Sequence, residues 1–180
     1  MRIISGKYKG RTLDGFNIDG TRPTMDRVKE SMIATIQNKI PNSVSLDLFA
    51  GSGSVGLEII SNGGKKCFFI DSNKKAIDIL RNNIKKINIT EECILVNSDY
   101  KKFLNTTNEK FDIIFLDPPY KMNLINDSLE LIYKNNLLNN NGIVICEYEN
   151  ENVESNYFEL IKEKKYSSKY IKIYKKWNFV

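Results

Sequence analysis

Histidine is absent from this 180-residue chain. Its absence excludes imidazole metal ligands, serine–histidine triads and the proton shuttle that most enzymes use near neutral pH. Any chemistry that this protein performs must therefore proceed without a histidine base.

Cysteine and long apolar runs are also scarce. The three cysteines, Cys67, Cys93 and Cys146, lie in or just before strand-like runs, too far apart for a zinc pattern. We expect them to be small buried residues of a reduced protein, with no metal bound. No signal peptide is recognisable at Met1, and no apolar run approaches the length of a membrane span. These features predict a cytoplasmic protein that does not contact a membrane.

Basic residues outnumber acidic ones, with 27 lysines and arginines against 22 aspartates and glutamates, and a pI near 9. This balance favours a polyanionic partner, although soluble proteins can be lysine-rich for other reasons. In the C-terminal run, alternation places Ile171 and Ile173 inward and Tyr170, Lys172 and Tyr174 outward. We interpret this run as a solvated strand face rather than as a specific RNA site.

Residues 111–120 carry the most informative motif. They read FDIIFLDPPY, an apolar strand-like run that ends in Asp117, Pro118, Pro119 and Tyr120. The prolines remove two backbone donors and fix φ, so the strand ends rigidly with unpaired carbonyls. A carboxylate beside such a carbonyl can accept both hydrogens of an exocyclic amino group, while the tyrosine covers the base. The motif indicates amino-group methylation, with a stiff turn as the alternative.

A glycine-rich turn lies upstream of this motif, where residues 44–56 read VSLDLFAGSGSVG. Such a turn between strand and helix lets a ligand approach the backbone at a helix N-terminus. The glycines also fit the G-x-G-x-x-G pattern of dinucleotide-binding proteins. Asp47 argues against a dinucleotide, because a carboxylate four residues before the first glycine would repel a pyrophosphate. It suits S-adenosylmethionine (SAM), which carries an ammonium and a sulfonium.

Acidic residues also end the next two strands. Asp71 follows the run 66–70 and can hold both ribose hydroxyls, a role that either cofactor would need. Asp99 follows the run 94–96 and can accept a hydrogen bond from the adenine amino group. Asp99 could equally cap the helix that follows it, so both roles remain open.

Apolar periodicity predicts strands that alternate with helices. The predicted strands are 44–49, 66–70, 93–97, 111–116, 142–147, 161–167 and 169–177, and the predicted helices are 54–62, 73–86, 99–105 and 124–138. This alternation implies a parallel sheet with right-handed crossovers, and the closely spaced last two strands imply a hairpin with one antiparallel strand. The acids at positions 47, 71, 99 and 117 all fall near the carboxyl ends of strands, where such sheets bind ligands.

The first 40 residues are predicted to precede this sheet as a small appendage. Strands 2–5 and 10–13 are expected to form a hairpin, and Thr24 is expected to cap a helix from Met25 to about Lys39. The predicted division is therefore 1–40 for the appendage, which would contact RNA and the cofactor lid, and 41–180 for the main domain.

The pieces DLFAGSGS, FFIDSN, NSD and DPPY, in this order and spacing, resemble class I SAM-dependent methyltransferases that act on amino groups. The opening blocks MRIISGKYKGRTL and TRPTMDRVKESM resemble the RsmD family, which methylates N2 of one guanine in small-subunit (16S) ribosomal RNA. The resemblance implies a Rossmann-like fold with a mostly parallel seven-stranded sheet, one antiparallel strand, helices on both faces, and a small N-terminal β-hairpin plus helix. It also implies the use of SAM on ribosomal RNA. We expect a monomer that acts within a small-subunit or assembly particle.

The site follows from the motifs together with this resemblance. Residues 117–120 would hold the acceptor base. The cofactor contacts would be Asp47, Phe49, Ala50, Gly51, Gly53, Asp71, Ser72, Asp99 and Tyr100, with Arg22 and Thr24 from a loop that closes over the methionine end. The RNA contacts would be Arg2, Lys7, Lys9, Arg11 and Arg27. Methyl transfer from a sulfonium suits a chain without histidine, because the amine needs orientation more than deprotonation.

Two other classes of function remain open. A DNA-adenine or protein-glutamine methyltransferase could use the same Asp-Pro-Pro-Tyr motif, although this chain has almost no insertion for reading a DNA sequence. A non-catalytic RNA-binding assembly factor would be expected to lack one of the cofactor acids, and all of them are present.

Overall fold

The computed structural model describes residues 1–15, 23–119 and 123–177. Its strands are β1 Val44–Asp47, β2 Lys66–Asp71, β3 Cys93–Asn97, β4 Phe111–Leu116, β5 Leu138–Tyr148, β6 Glu159–Tyr166 and β7 Lys169–Lys175. The helices are α1 Pro23–Ile36, α2 Ser54–Ser61, α3 Lys74–Ile87, α4 Tyr100–Thr106 and α5 Leu124–Lys134, with a 3-10 turn at Gln37–Lys39. Within the described ranges, no helix combines the length and the apolar character needed to cross a bilayer.

The strands form one sheet in the order β3-β2-β1-β4-β5-β7-β6. Strands β1 to β5 are parallel to one another, whereas β7 is antiparallel to both β5 and β6. Helices α1, α2 and α3 cover one face of the sheet, and α4 and α5 cover the other. The predicted Rossmann-like sheet with a single antiparallel strand is therefore confirmed.

The N-terminal hairpin was predicted as two strands, and this is wrong. The chain does reverse, with Ile3 N donating to Arg11 O at 3.0 Å, but only the isolated bridge between Arg2 and Thr12 has strand geometry in the described residues. The reason is that other backbone groups of this segment bond to α2 instead of to each other. The two-part division at residue 40 stays a prediction.

Glu58 of α2 is the centre of this attachment. Its carboxylate is fully buried and accepts hydrogen bonds from Ile4 N at 3.0 Å and Ser5 N at 2.7 Å. The Lys29 ammonium lies 3.3 Å from the same carboxylate and donates to Arg2 O at 3.0 Å. The N-terminal segment, α1 and α2 are thus joined by one buried ion pair.

Gly6 lets this segment approach α2 closely. Its φ is +75°, and a Cβ at this position would lie 2.0 Å from the carbonyl oxygen of Ser61. The neighbouring Lys7 N donates to that oxygen at 2.7 Å, and Tyr8 N donates to Ser61 Oγ at 3.0 Å. Only glycine fits such a close backbone contact at positive φ.

Two helix boundaries differ from the prediction. Helix α1 begins at Pro23, so Thr24 lies in its first turn and is not the capping residue. Proline favours the first helical position because its missing N–H would have no partner there. Helix α5 ends at Lys134 rather than near residue 138, because Asn136 adopts φ +51° and β5 begins at Leu138.

The prediction that the side chain of Tyr174 on β7 faces outward is also wrong, because Tyr174 is only 2% exposed. The chain after β5 folds over this face, and Val153 O accepts hydrogen bonds from Lys172 Nζ at 2.7 Å and Tyr174 OH at 3.3 Å. Lys175 pairs with Glu159 at 3.0 Å. Several C-terminal lysines are therefore held by the protein's own acceptors.

The cysteines are free and buried, as expected. Burial raises the pKa of Cys93 to about 12 and raises that of Cys67 well above its usual value. Thiols with such pKa values stay protonated at neutral pH and are poor nucleophiles.

Candidate active site

A cleft of about 700 Å³ lies at the carboxyl ends of the central strands, a volume typical of small-molecule sites. It is lined by most of the predicted site residues: Asp47, Phe49, Ala50, Gly51, Asp71, Ser72, Asp99, Tyr100, Asp117, Pro118 and Pro119. Gly53 lies just behind this lining, as the residue before α2. Arg22 and Tyr120 lie outside the described residues, as does the side chain of Thr24.

The glycine turn between β1 and α2 forms the floor of the cleft. Gly51 and Gly53 both adopt the left-handed region, with φ of +54° and +78°. A Cβ on Gly53 would lie 2.2 Å from Leu80 Cδ1, so this glycine permits close packing against α3. At Gly51 a Cβ would meet open space in the described part of the chain, so the backbone there faces the cleft.

Asp71 joins the glycine turn to the end of β2. Its Oδ2 accepts a hydrogen bond from Gly51 N at 2.8 Å, and its Oδ1 accepts one from Asn73 N at 2.8 Å. Each carboxylate oxygen has a second lone pair. The carboxylate is therefore fixed in place and can still accept hydrogen bonds from a ligand.

Asp99 does cap the helix that follows it. Its Oδ1 accepts from Lys101 N at 2.9 Å and from Lys102 N at 3.3 Å. Tyr100 packs its ring against Phe49, with centroids 5.5 Å apart, and its hydroxyl donates to Asp127. These contacts build a rigid, partly aromatic wall at the β3 end of the cleft.

Asp47 ends β1 and lines the cleft, where it is 3% exposed. Its Oδ2 accepts a hydrogen bond from Gly56 N at 3.1 Å. Burial raises the pKa of this carboxyl to about 7, an effect that the Gly56 hydrogen bond opposes and the nearby Asp71 carboxylate reinforces. A buried carboxylate that repels other acids is a favourable position for a cation.

Asp117 faces the cleft where β4 ends. Burial, followed by repulsion from Glu147, raises the pKa of Asp117 well above its ordinary value, and the Lys169 ammonium opposes this rise. Strongly shifted carboxyls in a cleft are typical of catalytic sites. Pro118 is buried beside it, and Pro119 is exposed.

Sequence reasoning missed Glu147 and Lys169, which line the cleft beside Asp117 and form an ion pair. Alternation along the strands could have identified them. Glu147 lies two residues beyond the buried Ile145, and Lys169 lies two residues before the buried Ile171. Both must therefore share a face of the sheet with those isoleucines.

The predicted RNA contacts Arg2, Lys7, Lys9, Arg11 and Arg27 are all exposed. In the part of the chain that the structure describes, none of these five pairs with a carboxylate. Met1 and Lys29 line the cleft, and the Arg2 carbonyl accepts from Lys29. The N-terminal end of this basic surface therefore borders the cleft.

The chain matches the family described as Conserved hypothetical protein 95 over residues 1–175. It is 36% identical over 169 residues to the ribosomal RNA small subunit methyltransferase D of Haemophilus influenzae, covering 91% of this chain and 88% of that protein. The enzyme of the same name from Escherichia coli K12 is 32% identical over 152 residues, covering 84% of this chain and 76% of that protein.

Solved structures of other proteins share this fold. The Escherichia coli protein yhhF, assigned as a methyltransferase, superimposes with a TM-score of 0.87 at 29% identity, covering 98% of this chain and 97% of that one. A methyltransferase of Podospora anserina shares the fold at 17% identity, with a TM-score of 0.70 over 88% of this chain and 83% of that one.

Proposed function

The chain belongs to the Conserved hypothetical protein 95 family, which it matches over residues 1–175, and from this premise we propose that it transfers a methyl group from SAM to the N2 amino group of a guanine in small-subunit ribosomal RNA. Its relatives named ribosomal RNA small subunit methyltransferase D support the reaction and the RNA class. The observation that carries the finer proposal is the cleft, which joins three strand-end acids to the Asp117-Pro118-Pro119 turn.

The acidic side chains on one side of the cleft fit SAM. Asp47 would face the ammonium and sulfonium, Asp71 would accept hydrogen bonds from the ribose hydroxyls, and Asp99 would accept one from the adenine amino group. The cap of α4 uses Oδ1 of Asp99, which leaves Oδ2 for the adenine. A pyrophosphate would instead meet the buried carboxyl of Asp47 directly below the glycine turn.

The remaining predicted contacts complete this half of the site. Phe49, Ala50, Gly51, Ser72 and Tyr100 would surround the nucleoside, because all five line the same cleft. Arg22 and Thr24 would close over the methionine end, as the family resemblance implies, with Gly53 supporting the turn from behind.

Asp117 and Pro118 would hold the acceptor. The carboxylate and the proline carbonyl would accept the two hydrogens of the guanine amino group and thereby direct its lone pair at the methyl carbon. SAM, when bound, supplies an electrophilic methyl group. Pro119 keeps the turn rigid, and Tyr120 would stack on a base that has left its helix.

The position of Asp117 at the acceptor end of the cleft allows it a second role. Methylation leaves a positive charge on the amino nitrogen, which must then lose a proton. A carboxylate whose pKa is well above its ordinary value is a better proton acceptor than a normal aspartate. Asp117 would therefore remove that proton in a site that has no histidine.

The test is methyl transfer to small ribosomal subunits and their assembly intermediates, isolated from a bacterial strain that lacks its own enzyme of this family. With tritiated SAM we expect N2-methylguanosine at one position after nucleoside analysis. Asp78→Ala, an exposed change on α3, serves as the control for protein handling. Label in N6-methyladenosine, label in protein glutamine, or no transfer at all would each contradict the proposal. The proposal includes a cytoplasmic monomer that acts on a small-subunit or assembly particle.

Protonation of Asp47 predicts how SAM affinity depends on pH. Because the pKa of this carboxyl is about 7 and the cation binds its ionised form, binding must displace a proton at lower pH. The association constant should therefore fall about tenfold from pH 8 to pH 6. Titration calorimetry in buffers of different ionisation enthalpy should detect proton release at pH 6. Asp47→Asn should bind SAM weakly and lack this part of the proton release, and equal release from both proteins would remove Asp47 from the cofactor site.

The salt dependence of RNA binding tests the basic surface. Each phosphate that a cation neutralises adds roughly one unit to the slope of log affinity against log salt. Replacing Lys7, Lys9 and Arg11 by alanine should lower that slope by about two to three units, with SAM affinity unchanged. The matched control replaces Lys162, Lys164 and Lys165, which are exposed on β6, and should change the slope by less than about one unit. The reverse result would place the RNA at the C-terminal strands.

A further inference from the structure

Three charged side chains form a row at the acceptor end of the cleft. Asp117 follows β4, Glu147 lies near the end of β5, and Lys169 begins β7. These strands are neighbours in the sheet, and all three residues line the cleft. The order across the sheet is therefore carboxylate, carboxylate, ammonium. Adjacent strands lie about 4.8 Å apart.

Strand register places the row on one face. Phe115 is in register with Ile145 on β5, and Glu147 is in register with Ile171 on β7. The three apolar residues belong to the cluster under α1. Because side chains alternate along a strand, positions 117, 147 and 169 project from that same face, directly beyond the apolar cluster. Lys169 is then the diagonal neighbour of Glu147 across the antiparallel pair.

Glu147 and Lys169 are joined within this row. The Lys169 ammonium bonds to Oε1 of Glu147, and the two side chains are 17% and 10% exposed. An ion pair this secluded contributes little net stability, since the loss of hydration offsets much of the attraction. A ligand-binding role explains its position at the mouth of the acceptor site better than stability does.

The order of the charged groups in the row corresponds to the order of groups on the Watson–Crick edge of guanine. That edge presents, in order, the N2 amino group and the N1–H as donors and the O6 carbonyl as an acceptor. Adenine presents an unprotonated N1 and an amino donor at C6, so a carboxylate opposite its N1 would be repelled.

We propose that Glu147 and Lys169 select guanine as the acceptor base, an inference that rests on the proposed function of the cleft. Oε2 of Glu147 accepts the N1–H, and the Lys169 ammonium, which carries three hydrogens, donates one of them to O6 while it stays bonded to Glu147. Asp117 holds the N2 amino group at the other end of the row. The pair thereby fixes the base in the plane that Asp117 needs for transfer.

The experiment changes the base at the methylated position. After that position has been mapped, small-subunit RNA is assembled by ligation with either guanosine or 2-aminopurine riboside there and is reconstituted with the small-subunit proteins. 2-Aminopurine keeps the amino group at C2 but lacks both the N1–H and O6. We expect the wild-type kcat/KM for guanosine to exceed that for 2-aminopurine by at least about a hundredfold, because buried polar groups would be left unpaired.

Glu147→Gln should lower this preference at least about tenfold, since a glutamine amide can donate to the unprotonated N1 of 2-aminopurine. Lys169→Met should lower kcat/KM for guanosine at least about tenfold. It should leave kcat/KM for 2-aminopurine within about twofold of the wild-type value, because 2-aminopurine lacks O6. The matched control is Glu149→Gln, two residues beyond and partly exposed, which should keep the wild-type preference.

The preference is a ratio of two kcat/KM values measured on one protein sample, so a misfolded fraction lowers both values equally and leaves the ratio unchanged. SAM binding, measured by calorimetry, checks that the cofactor site is intact. An unchanged preference in Glu147→Gln would overturn the inference and leave an ion pair that serves only structure. Failure of the wild-type enzyme to methylate the guanosine substrate would instead contradict the proposed function itself.

Discussion

Replacing Asp117 by alanine is expected to lower turnover on ribosomal RNA at least about a hundredfold and to leave SAM affinity nearly unchanged. The reason is that the carboxylate is proposed to hold the acceptor amino group, and removing one preorganised electrostatic partner costs about this much. The measurement pairs single-turnover methyl transfer with titration calorimetry of SAM.

Asp78→Ala provides the comparison for Asp117→Ala, because Asp78 is exposed on α3 and pairs with Arg81 of the same helix at 2.6 Å. It should behave as wild type in both measurements. If Asp117→Ala lost SAM affinity and turnover to the same degree, Asp117 would have to be reassigned as a cofactor ligand.

Glu58→Ala is expected to lower the free energy of unfolding by about 3–5 kcal/mol, the range found when one partner of a buried ion pair is removed. The change would leave the Lys29 ammonium buried without its carboxylate and would remove the acceptor for Ile4 N and Ser5 N. Denaturant unfolding measures the loss, and proteolysis should cut first within residues 1–15.

A double-mutant cycle separates the ion pair from the hydrogen bonds. Lys29→Met combined with Glu58→Ala should cost less than the sum of the single changes, because no uncompensated charge remains. The surface control is Glu130→Ala, which removes an exposed pair with Lys134 and should cost at most about 0.5 kcal/mol. A loss of under about 1 kcal/mol for Glu58→Ala would contradict the anchoring role.

The strand ends that build the cleft were predictable from local sequence. Each apolar run before Asp47, Asp71 and Asp117 is long enough for a buried strand, and alternation of strands with helices determines that their carboxyl ends meet. Glycine at positions 51 and 53 marks the turn because only a left-handed backbone connects this strand and helix so tightly.

Features that depend on distant partners were missed. The N-terminal segment does not form two strands because Glu58 and Ser61, more than 50 positions away, accept its backbone hydrogens. Tyr174 is buried by the chain around Val153, which alternation along β7 cannot reveal. The pairing of Glu147 with Lys169 depends on the register between β5 and β7, which no local pattern specifies.

The buried carboxyl of Asp47 destabilises the folded protein at neutral pH, so selection for stability alone would replace it. A carboxyl whose pKa rises from 3.8 to about 7 on folding holds its proton more tightly in the native state, so its contribution to stability declines as the pH rises from about 4 through 7. Above that window the native protein carries an unfavourable buried charge, which the cation of the proposed cofactor would offset. Screens for heat-resistant variants of the free protein should therefore recover neutral residues at this position. Under the proposed role of Asp47, such variants would have exchanged cofactor binding for stability.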